Sequence, residues 1–292
     1  MILWTIRLLR DWSVPWLQQR GIENPRLDAD LLLADALGVE RLALFLDAER
    51  PVVGAELATF KRHLQRRARR EPVAYILGRR GFWRQELVVT SDVLVPRPET
   101  ELLVETVLAH FPPDQQTFPF EILEIGVGSG ALLCALLLEY PVATGVGVDI
   151  SAAALAVAEQ NGRQLGCWER MTLLGGDLVA PLAVAPHSGR RFPVIVANPP
   201  YIATAELDRL EPEVAVWEPR QALDGGVDGL TVLRRIPAAV MPLLAAGGLL
   251  ALEIGMTQGD AVAAVMEAAG LQDVCLHLDY SRRPRVVTGW RR

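Results

Sequence analysis

Apolar positions recur at helical spacing through the first eighty residues. Leu27, Leu31 and Ala34 share one face of a segment that opens on Asn24-Pro25, a cap and a first-turn proline, and closes at Gly38, so the spacing predicts a helix there. Shorter and longer helices are predicted over 13–19, stopped by Gly21, and over 55–70, halted before Pro72. From Phe82 the pattern changes to short β-type runs, 86–90 and 93–95, the second ending on Pro96-Arg97-Pro98. A helix over 100–110 and a proline-rich loop over 111–120 follow. Beyond them, strands predicted at 121–125, 144–149, 171–174, 193–197, 248–254, 274–279 and 285–288 alternate with helical stretches such as 152–165 and 259–269. Such alternation predicts an α/β fold with a doubly wound sheet. The change of pattern places a boundary near residue 81, with a small helical-bundle domain over 1–80 and the sheet domain over 81–292.

Composition agrees with two packed domains. The 292 residues are 51% hydrophobic, which excludes disordered, collagenous and fibrous classes. Cys134, Cys167 and Cys275 are too far apart in sequence for a disulfide framework or a CxxC zinc site and suggest a reducing compartment. The scattered histidines His63, His110, His187 and His277 give no metal-ligand spacing, so no metal is expected. The longest uncharged stretch, 236–252, is broken by Pro237, Pro242 and Gly247-Gly248 and falls short of the ~20 residues of a membrane span. Arg7, Arg10 and Asp11 interrupt any signal-peptide core, and a soluble cytoplasmic protein is expected.

Charge divides the chain. Up to residue 90 there are 15 Lys and Arg against 11 Asp and Glu, net +4; the remainder carries 14 against 24, net −10. Six of the ten residues 61–70 are basic, which fits either a patch for nucleic acid or a ribosomal partner, or a solvated face near a helix C-terminus. Of the 29 basic residues 28 are Arg, and the sequence offers no functional reason for it.

Three motifs carry chemistry. Glu124-Ile125-Gly126-Val127-Gly128-Ser129-Gly130-Ala131 ends a predicted strand and opens a helix; its glycines let the backbone turn tightly and bring N–H groups close to a ligand, either a dinucleotide or an adenosyl group. Asp149 ends the next strand, where a carboxylate can accept ribose hydroxyls, and Asp177, before Leu178, ends the third. Asn198-Pro199-Pro200-Tyr201 follows the strand at 193–197. The Asn198 side-chain oxygen and a backbone carbonyl can each take one hydrogen of an incoming NH2 group, pinning a planar nitrogen with its lone pair outward. Tyr201 can cover the substrate's planar group or face a sulfonium charge. A nicotinamide dehydrogenase leaves this element unexplained, and an inactive binding module has no need of it.

The ordered set resembles the release factor glutamine methyltransferases, the PrmC/HemK family, over nearly the whole chain. The matching pieces are Pro72-Val73-Ala74-Tyr75-Ile76-Leu77-Gly78, Val95-Pro96-Arg97-Pro98-Glu99-Thr100-Glu101, the Gly126 loop, Val148-Asp149-Ile150-Ser151 with Asn161, Gly176-Asp177-Leu178, Asn198-Pro199-Pro200-Tyr201-Ile202, Glu218-Pro219-Arg220 with Asp224-Gly225-Gly226, and Leu252-Glu253-Ile254-Gly255. The family usually has Asp where this chain has Glu124, a Gly-Leu pair near Trp83-Arg84, and a Gly-Arg-Asp-Arg run where Ser281-Arg282-Arg283-Pro284-Arg285 stands.

The resemblance implies a class I S-adenosylmethionine-dependent, Rossmann-like methyltransferase domain preceded by a helical domain that recognises the release factor. It implies methyl transfer to the side-chain amide nitrogen of the Gly-Gly-Gln glutamine of class-I peptide chain release factors. Donor contacts would come from Glu124, Gly126, Val127, Gly128, Ser129, Gly130, Asp149, Asp177, Leu178 and Asn198. Glutamine contacts would come from Asn198, Pro199, Pro200 and Tyr201, with Arg97, Glu99 and Thr100 lining the pocket; Asn198, Pro199 and Tyr201 would carry the transfer. A monomer is expected, and no nucleic-acid substrate. The alternative is methylation of the exocyclic amino group of adenine in DNA or RNA, disfavoured by the net −10 of the catalytic half, 6% aromatics and no target-recognition insertion.

Overall fold

Thr5, in extended backbone, opens the first helix by accepting the Leu8 N–H on its hydroxyl at 3.3 Å. Helix α1 (Ile6–Gln18) therefore starts well before the expected 13–19 segment, and Pro15, which suggests a late start, lies inside it. In α2 (Pro25–Leu37) the proline holds the first position and Gly38 closes the helix at φ 63°, but the Asn24 side chain makes no capping bond. Helices α3 (Ala43–Leu46), α4 (Gly54–Arg67) and α5 (Val73–Leu77) complete the set, with Leu17, Leu32, Leu33, Leu44 and Phe60 fully buried among them. The computed structural model describes residues 3–115 and 120–292. They fall into two units, one of the chain up to Arg79 together with Glu211–Trp217, the other of Arg80–Leu210 and Glu218–Arg292.

Half of the basic run is turned to internal use. Within the first unit Arg67 binds Asp28 at 2.6 Å and Glu213 at 2.7 Å, Arg70 binds the other Glu213 oxygen, and Arg66 grips Glu71. Arg67 is itself buried. These arginines hold the Glu211–Trp217 segment and the α4 terminus, while Lys61, Arg62 and Arg69 stand exposed, so half of the run is open to either expected use, a patch or a solvated face.

The second unit starts with a hairpin of β1 (Arg79–Phe82) and β2 (Gln85–Val88), then α6 (Glu101–His110). The expected strand at 93–95 is irregular backbone: Val93 and Val95 are buried, but the prolines that follow keep the segment from pairing. Of the expected loop over 111–120, a 3-10 turn spans Pro113–Gln115, and 116–119 lie outside the described residues.

The remaining elements are β3 (Glu121–Ile125), α7 (Ala131–Glu139), β4 (Thr144–Asp149), α8 (Ala152–Gln164), β5 (Met171–Gly175), β6 (Phe192–Ala197), α9 (Pro212–Ala215, grouped with the first unit), α10 (Thr231–Val240), β7 (Leu244–Glu253), α11 (Gly259–Ala268), β8 (Gln272–Leu278) and β9 (Pro284–Arg291). Strands β3 to β9 form one sheet in the order β5-β4-β3-β6-β7-β9-β8, parallel as far as β7, with β9 antiparallel to both neighbours. Successive residues Ile122 and Leu123 are both fully buried and enter different cores, because helices cover both faces. Helix α10 carries no clear signal in the sequence, since Pro237 sits inside it. Strand order reverses at β3, with β4 on one side and β6 on the other, the position where a doubly wound sheet leaves a crevice at its carboxyl edge.

Asn161 on α8 joins three parts of this unit. Fully buried, it accepts from the Val88 N–H at 2.8 Å and donates to the Val88 and Ser129 carbonyls at 2.9 and 2.8 Å. Asn161→Ala leaves these backbone groups buried without partners. It is expected to cost about 3 kcal/mol, lowering the melting temperature by roughly 6–12 °C; a shift below about 2 °C in a thermal melt would remove Asn161 from this role.

Candidate active site

A cavity of about 590 Å3 opens at the carboxyl ends of β3, β4, β5 and β6. Its floor is the glycine loop. Gly126 and Val127 donate backbone N–H bonds to the Val148 carbonyl at 2.8 and 3.0 Å, and Gly128 donates to Asp149 Oδ2 at 2.8 Å. Asp149 Oδ1 accepts the Ser151 N–H at 2.9 Å. Asp149 is thus oriented by two backbone donors while retaining acceptor capacity towards the cavity. Gly126 stands at φ 74°, and a β-carbon there would lie 4.0 Å from the Asn198 carbonyl oxygen, so the two motifs face each other closely.

Buried below the loop, the Glu124 carboxylate accepts the Leu133 N–H of the first turn of α7 at 2.9 Å. Burial outweighs this bond and pushes its pKa well above the usual carboxylate range. At the far end, Asp177 pairs with Arg235 of α10 at 2.5 Å, and both line the cavity. Leu178 lines it from left-handed backbone, φ 49°, a conformation that turns its main chain sharply after the strand.

The opposite wall is Asn198-Pro199-Pro200 with Arg97 and Thr100. Asn198 Nδ2 donates to Thr100 Oγ1 at 3.0 Å, leaving Oδ1 without an intramolecular donor among the described residues. Arg97 binds the buried Glu218 at 2.7 Å, and burial raises the Glu218 pKa despite that partner. The Tyr201 hydroxyl donates to Glu253 Oε1 at 3.3 Å; Glu253, at the end of β7, is fully buried and its pKa is pushed up to about 7, chiefly by desolvation.

The sheet therefore gathers Glu124, Gly126, Val127, Gly128, Ser129, Asp149, Asp177, Leu178, Asn198, Pro199, Pro200, Arg97 and Thr100 around one cavity. Three expected site residues stand elsewhere. Gly130, at φ 77°, caps α7, and a β-carbon on it would sit 3.2 Å from the Ala158 β-carbon, so it serves helix packing. The Tyr201 ring packs against the core and its hydroxyl points to Glu253, away from the lining. Glu99 is not in the lining either. Residues not foreseen include Phe82, Leu94, Ile150, Gln221, Thr231 and Arg235. Among these six Ile150 gives a sequence signal, a large apolar residue directly after a strand-end acid, and it is 59% exposed.

Among the described residues no group of three or more His, Cys, Asp and Glu could hold a metal ion, and no helix is long and apolar enough to cross a membrane.

Comparison with known proteins follows the same division. Residues 9–78 match the family model described as PrmC N-terminal domain, and 122–215 the one described as Methyltransferase domain. The chain is 44% identical to the release factor glutamine methyltransferase of Caulobacter vibrioides, over 98% of this chain and 96% of that protein. It is 42% identical to the release factor glutamine methyltransferase of Geobacter sulfurreducens, over 98% and 97%. Among solved structures, a methyltransferase from Pyrococcus furiosus shares the fold with a TM-score of 0.50 at 15% identity, covering 70% of this chain and 88% of that one.

Glu253 makes a measurable contribution to stability. Its folded pKa, about 7, lies above its ordinary value of 4.5, so the folded form holds the proton more tightly. Stability from this group is present below the ordinary value and declines as pH rises through 7. Glu253→Gln is therefore expected to gain about 2 kcal/mol relative to wild type between pH 5 and pH 8 in urea unfolding; an identical pH slope in both proteins would contradict it.

Proposed function

The chain belongs to the release factor glutamine methyltransferase family, and we propose that its cavity holds S-adenosylmethionine against Asn198, with the release-factor glutamine entering from the Asn198-Pro199-Pro200 side. The observation that carries this assignment of residues is the meeting of two motifs across one cavity: bare glycine-loop backbone on one wall, and on the other an amide whose Oδ1 has no internal donor among the described residues. When bound, the donor supplies an electrophilic methyl group on a sulfonium sulfur. Asp149 would hold the ribose, the backbone around Gly126 and Gly128 the methionine part, and Leu178 with Ile150 the adenine. Asp177, already paired with Arg235, would shape the adenine end of the cavity.

A glutamine side-chain nitrogen is a weak nucleophile because its lone pair is delocalised into the carbonyl. Asn198 Oδ1 and the Pro199 carbonyl would each accept one of its hydrogens and hold the lone pair towards the donor. These bonds strengthen as positive charge builds on the nitrogen, which favours the transition state over the ground state. An N-protonated amide is acidic enough to release its proton to water, so no base is required. Tyr201, placed behind this wall, would support it through Glu253 and not cover the substrate.

The same reading makes the protein a monomeric cytoplasmic enzyme acting on a protein and not on nucleic acid, with residues 1–80 recognising the release factor and 81–292 performing the transfer. Exposed apolar residues on the first unit, Leu42, Phe45 and Leu46, support a protein contact there.

Three experiments test it. With methyl-labelled S-adenosylmethionine, label is expected on the Gly-Gly-Gln glutamine of an unmodified release factor and absent from duplex DNA; the opposite pattern would sink the assignment. Asn198→Ala is expected to lower kcat by about 100-fold or more while donor affinity changes by less than about threefold, and unchanged turnover would remove Asn198 from the mechanism. For the first unit, the double variant Leu42→Asp/Leu46→Asp should raise KM for the whole factor by about tenfold and leave a Gly-Gly-Gln peptide unaffected; equal effects on both would refute recognition by this surface.

A further inference from the structure

We propose that Gln258 is a positioning residue for the transfer: by gripping the Tyr201 carbonyl it fixes the far end of the Asn198-Pro199-Pro200 wall, and with it the direction of the Pro199 carbonyl. The inference rests on the assignment of that carbonyl as acceptor of one substrate hydrogen, and adds the group that holds it in place.

A proline pair is stiff but cannot anchor itself. The rings fix φ at Pro199 and Pro200, and Pro200 also confines Pro199 to extended backbone, so the stretch moves as one short rod. Neither residue has an N–H to give to a neighbouring strand. The rod is therefore held by its ends. At the near end Ala197 pairs with Ile125 of β3 and Leu252 of β7, and Asn198 Nδ2 donates to Thr100 Oγ1 at 3.0 Å. At the far end the Tyr201 carbonyl receives Gln258 Nε2 at 2.9 Å, and the Ile202 N–H donates to the Leu223 carbonyl at 3.0 Å. Release of that end lets the rod swing about Asn198.

Gln258 is itself fastened to the sheet. At the start of α11 its backbone N–H donates to the Gly255 carbonyl at 3.0 Å, and its side-chain Oε1 accepts the Gly255 N–H at 2.8 Å. Gly255 follows Ile254, whose N–H continues the ladder to the Arg285 carbonyl of β9 at 2.9 Å. The polarity of the Gln258 amide is then dictated by its neighbours. The Gly255 group is a donor and the Tyr201 and Gly229 carbonyls are acceptors, so one orientation satisfies all three: Oε1 to Gly255, and Nε2 to Tyr201 at 2.9 Å and to Gly229 at 3.2 Å. A bridging NH2 group offsets the repulsion of two converging carbonyl oxygens. The glycines permit this approach: a β-carbon on Gly229 would overlap the Tyr201 oxygen, and one on Gly225 would lie 2.8 Å from the Tyr201 α-carbon. Gly225 and Gly255, from two separate motif pieces, thus serve one clamp on Tyr201.

The test separates kcat from donor affinity, with saturating donor and unmodified release factor. Gln258→Met, of similar length but without donors, is expected to lower kcat by about tenfold while donor affinity and KM for the factor each change by less than about threefold. Gln258→Glu keeps the shape and the bond to Gly255 but sets a carboxylate oxygen against two carbonyls; kcat is expected to fall by about 100-fold. Arg170→Met takes a comparable set of bonds from the same unit, those to the Leu137, Tyr140 and Ala143 carbonyls, away from the cavity lining. It is expected to keep kcat within about twofold of wild type. Wild-type kcat in both Gln258 variants, an equal loss in Arg170→Met, or a loss carried wholly by donor affinity overturns the proposal.

A second readout does not need turnover. The Ile202 and Gly225 amides, which donate to the Leu223 and Ile202 carbonyls at 3.0 and 2.8 Å, report on the backbone just beyond the rod. Their hydrogen exchange is expected to quicken by about tenfold in Gln258→Met and to stay unchanged in Arg170→Met. Unchanged exchange in Gln258→Met overturns the anchor even where kcat has fallen. A wild-type protein that labels no release-factor glutamine breaks the functional reading instead, and the exchange rates still decide whether Gln258 holds Tyr201.

Discussion

Everything at the site depends on the parallel pairing of β3 with β6. Ile125 is level with Ala197 across that ladder, and on the other edge of β3 Ile125 is level with Val148 of β4. The chain therefore leaves the sheet at Gly126, Asp149 and Asn198 from adjacent strands at nearly one height. A slip of one residue in any of these ladders would turn each side chain to the opposite face and separate the motifs. Because both faces of the sheet are buried under helices, the register is fixed by the two cores, and the distance between the glycine loop and Asn198 is fixed with it.

Three buried carboxylates surround this junction, and each is compensated differently. Glu218 has a guanidinium partner in Arg97, Glu124 a single backbone donor in the first turn of α7, and Glu253 the Tyr201 hydroxyl. Burial raises the pKa of all three, so each costs free energy when ionised. Apolar replacements would pack at lower cost. What the carboxylates supply is orientation: Glu124 fixes how α7 departs from the glycine loop, Glu218 holds the Arg97 segment against the cavity, and Glu253 holds the Tyr201 hydroxyl.

The alternating strands, the glycine loop and the Asn198 motif were legible because each rests on local chemistry: short apolar runs, backbone that only glycine adopts, and a rigid proline pair after a strand. The roles of Gly130 and Tyr201 were not. Both lie inside motifs that point to a ligand, yet Gly130 is small because Ala158 of α8 approaches it, and Tyr201 turns towards a carboxylate 52 positions later in the chain. Helix α10 was hidden by Pro237, and the start of α1 by Pro15, since an internal proline looks locally like a boundary. The grouping of Glu211–Trp217 with the first unit depends on Arg67 and Arg70 meeting Glu213, a pairing that spacing along the chain does not reveal.

Several arginines show what the bias of 28 Arg to one Lys can serve. Arg170 reaches the carbonyls of Leu137, Tyr140 and Ala143 and so closes the end of α7 and the turn after it. Arg66 grips both oxygens of Glu71 and the Tyr75 and Ile76 carbonyls, and Arg291 joins the Met241 and Leu244 carbonyls. Each site asks for several donors fanned from one planar group, which a guanidinium provides in fixed geometry. A lysine ammonium has three donors on a flexible stem and would satisfy such a set only in part. The bias that looked like a bland composition fact is thus, at these positions, a structural demand: carbonyls left open at helix ends are closed by side chains able to bind several at once.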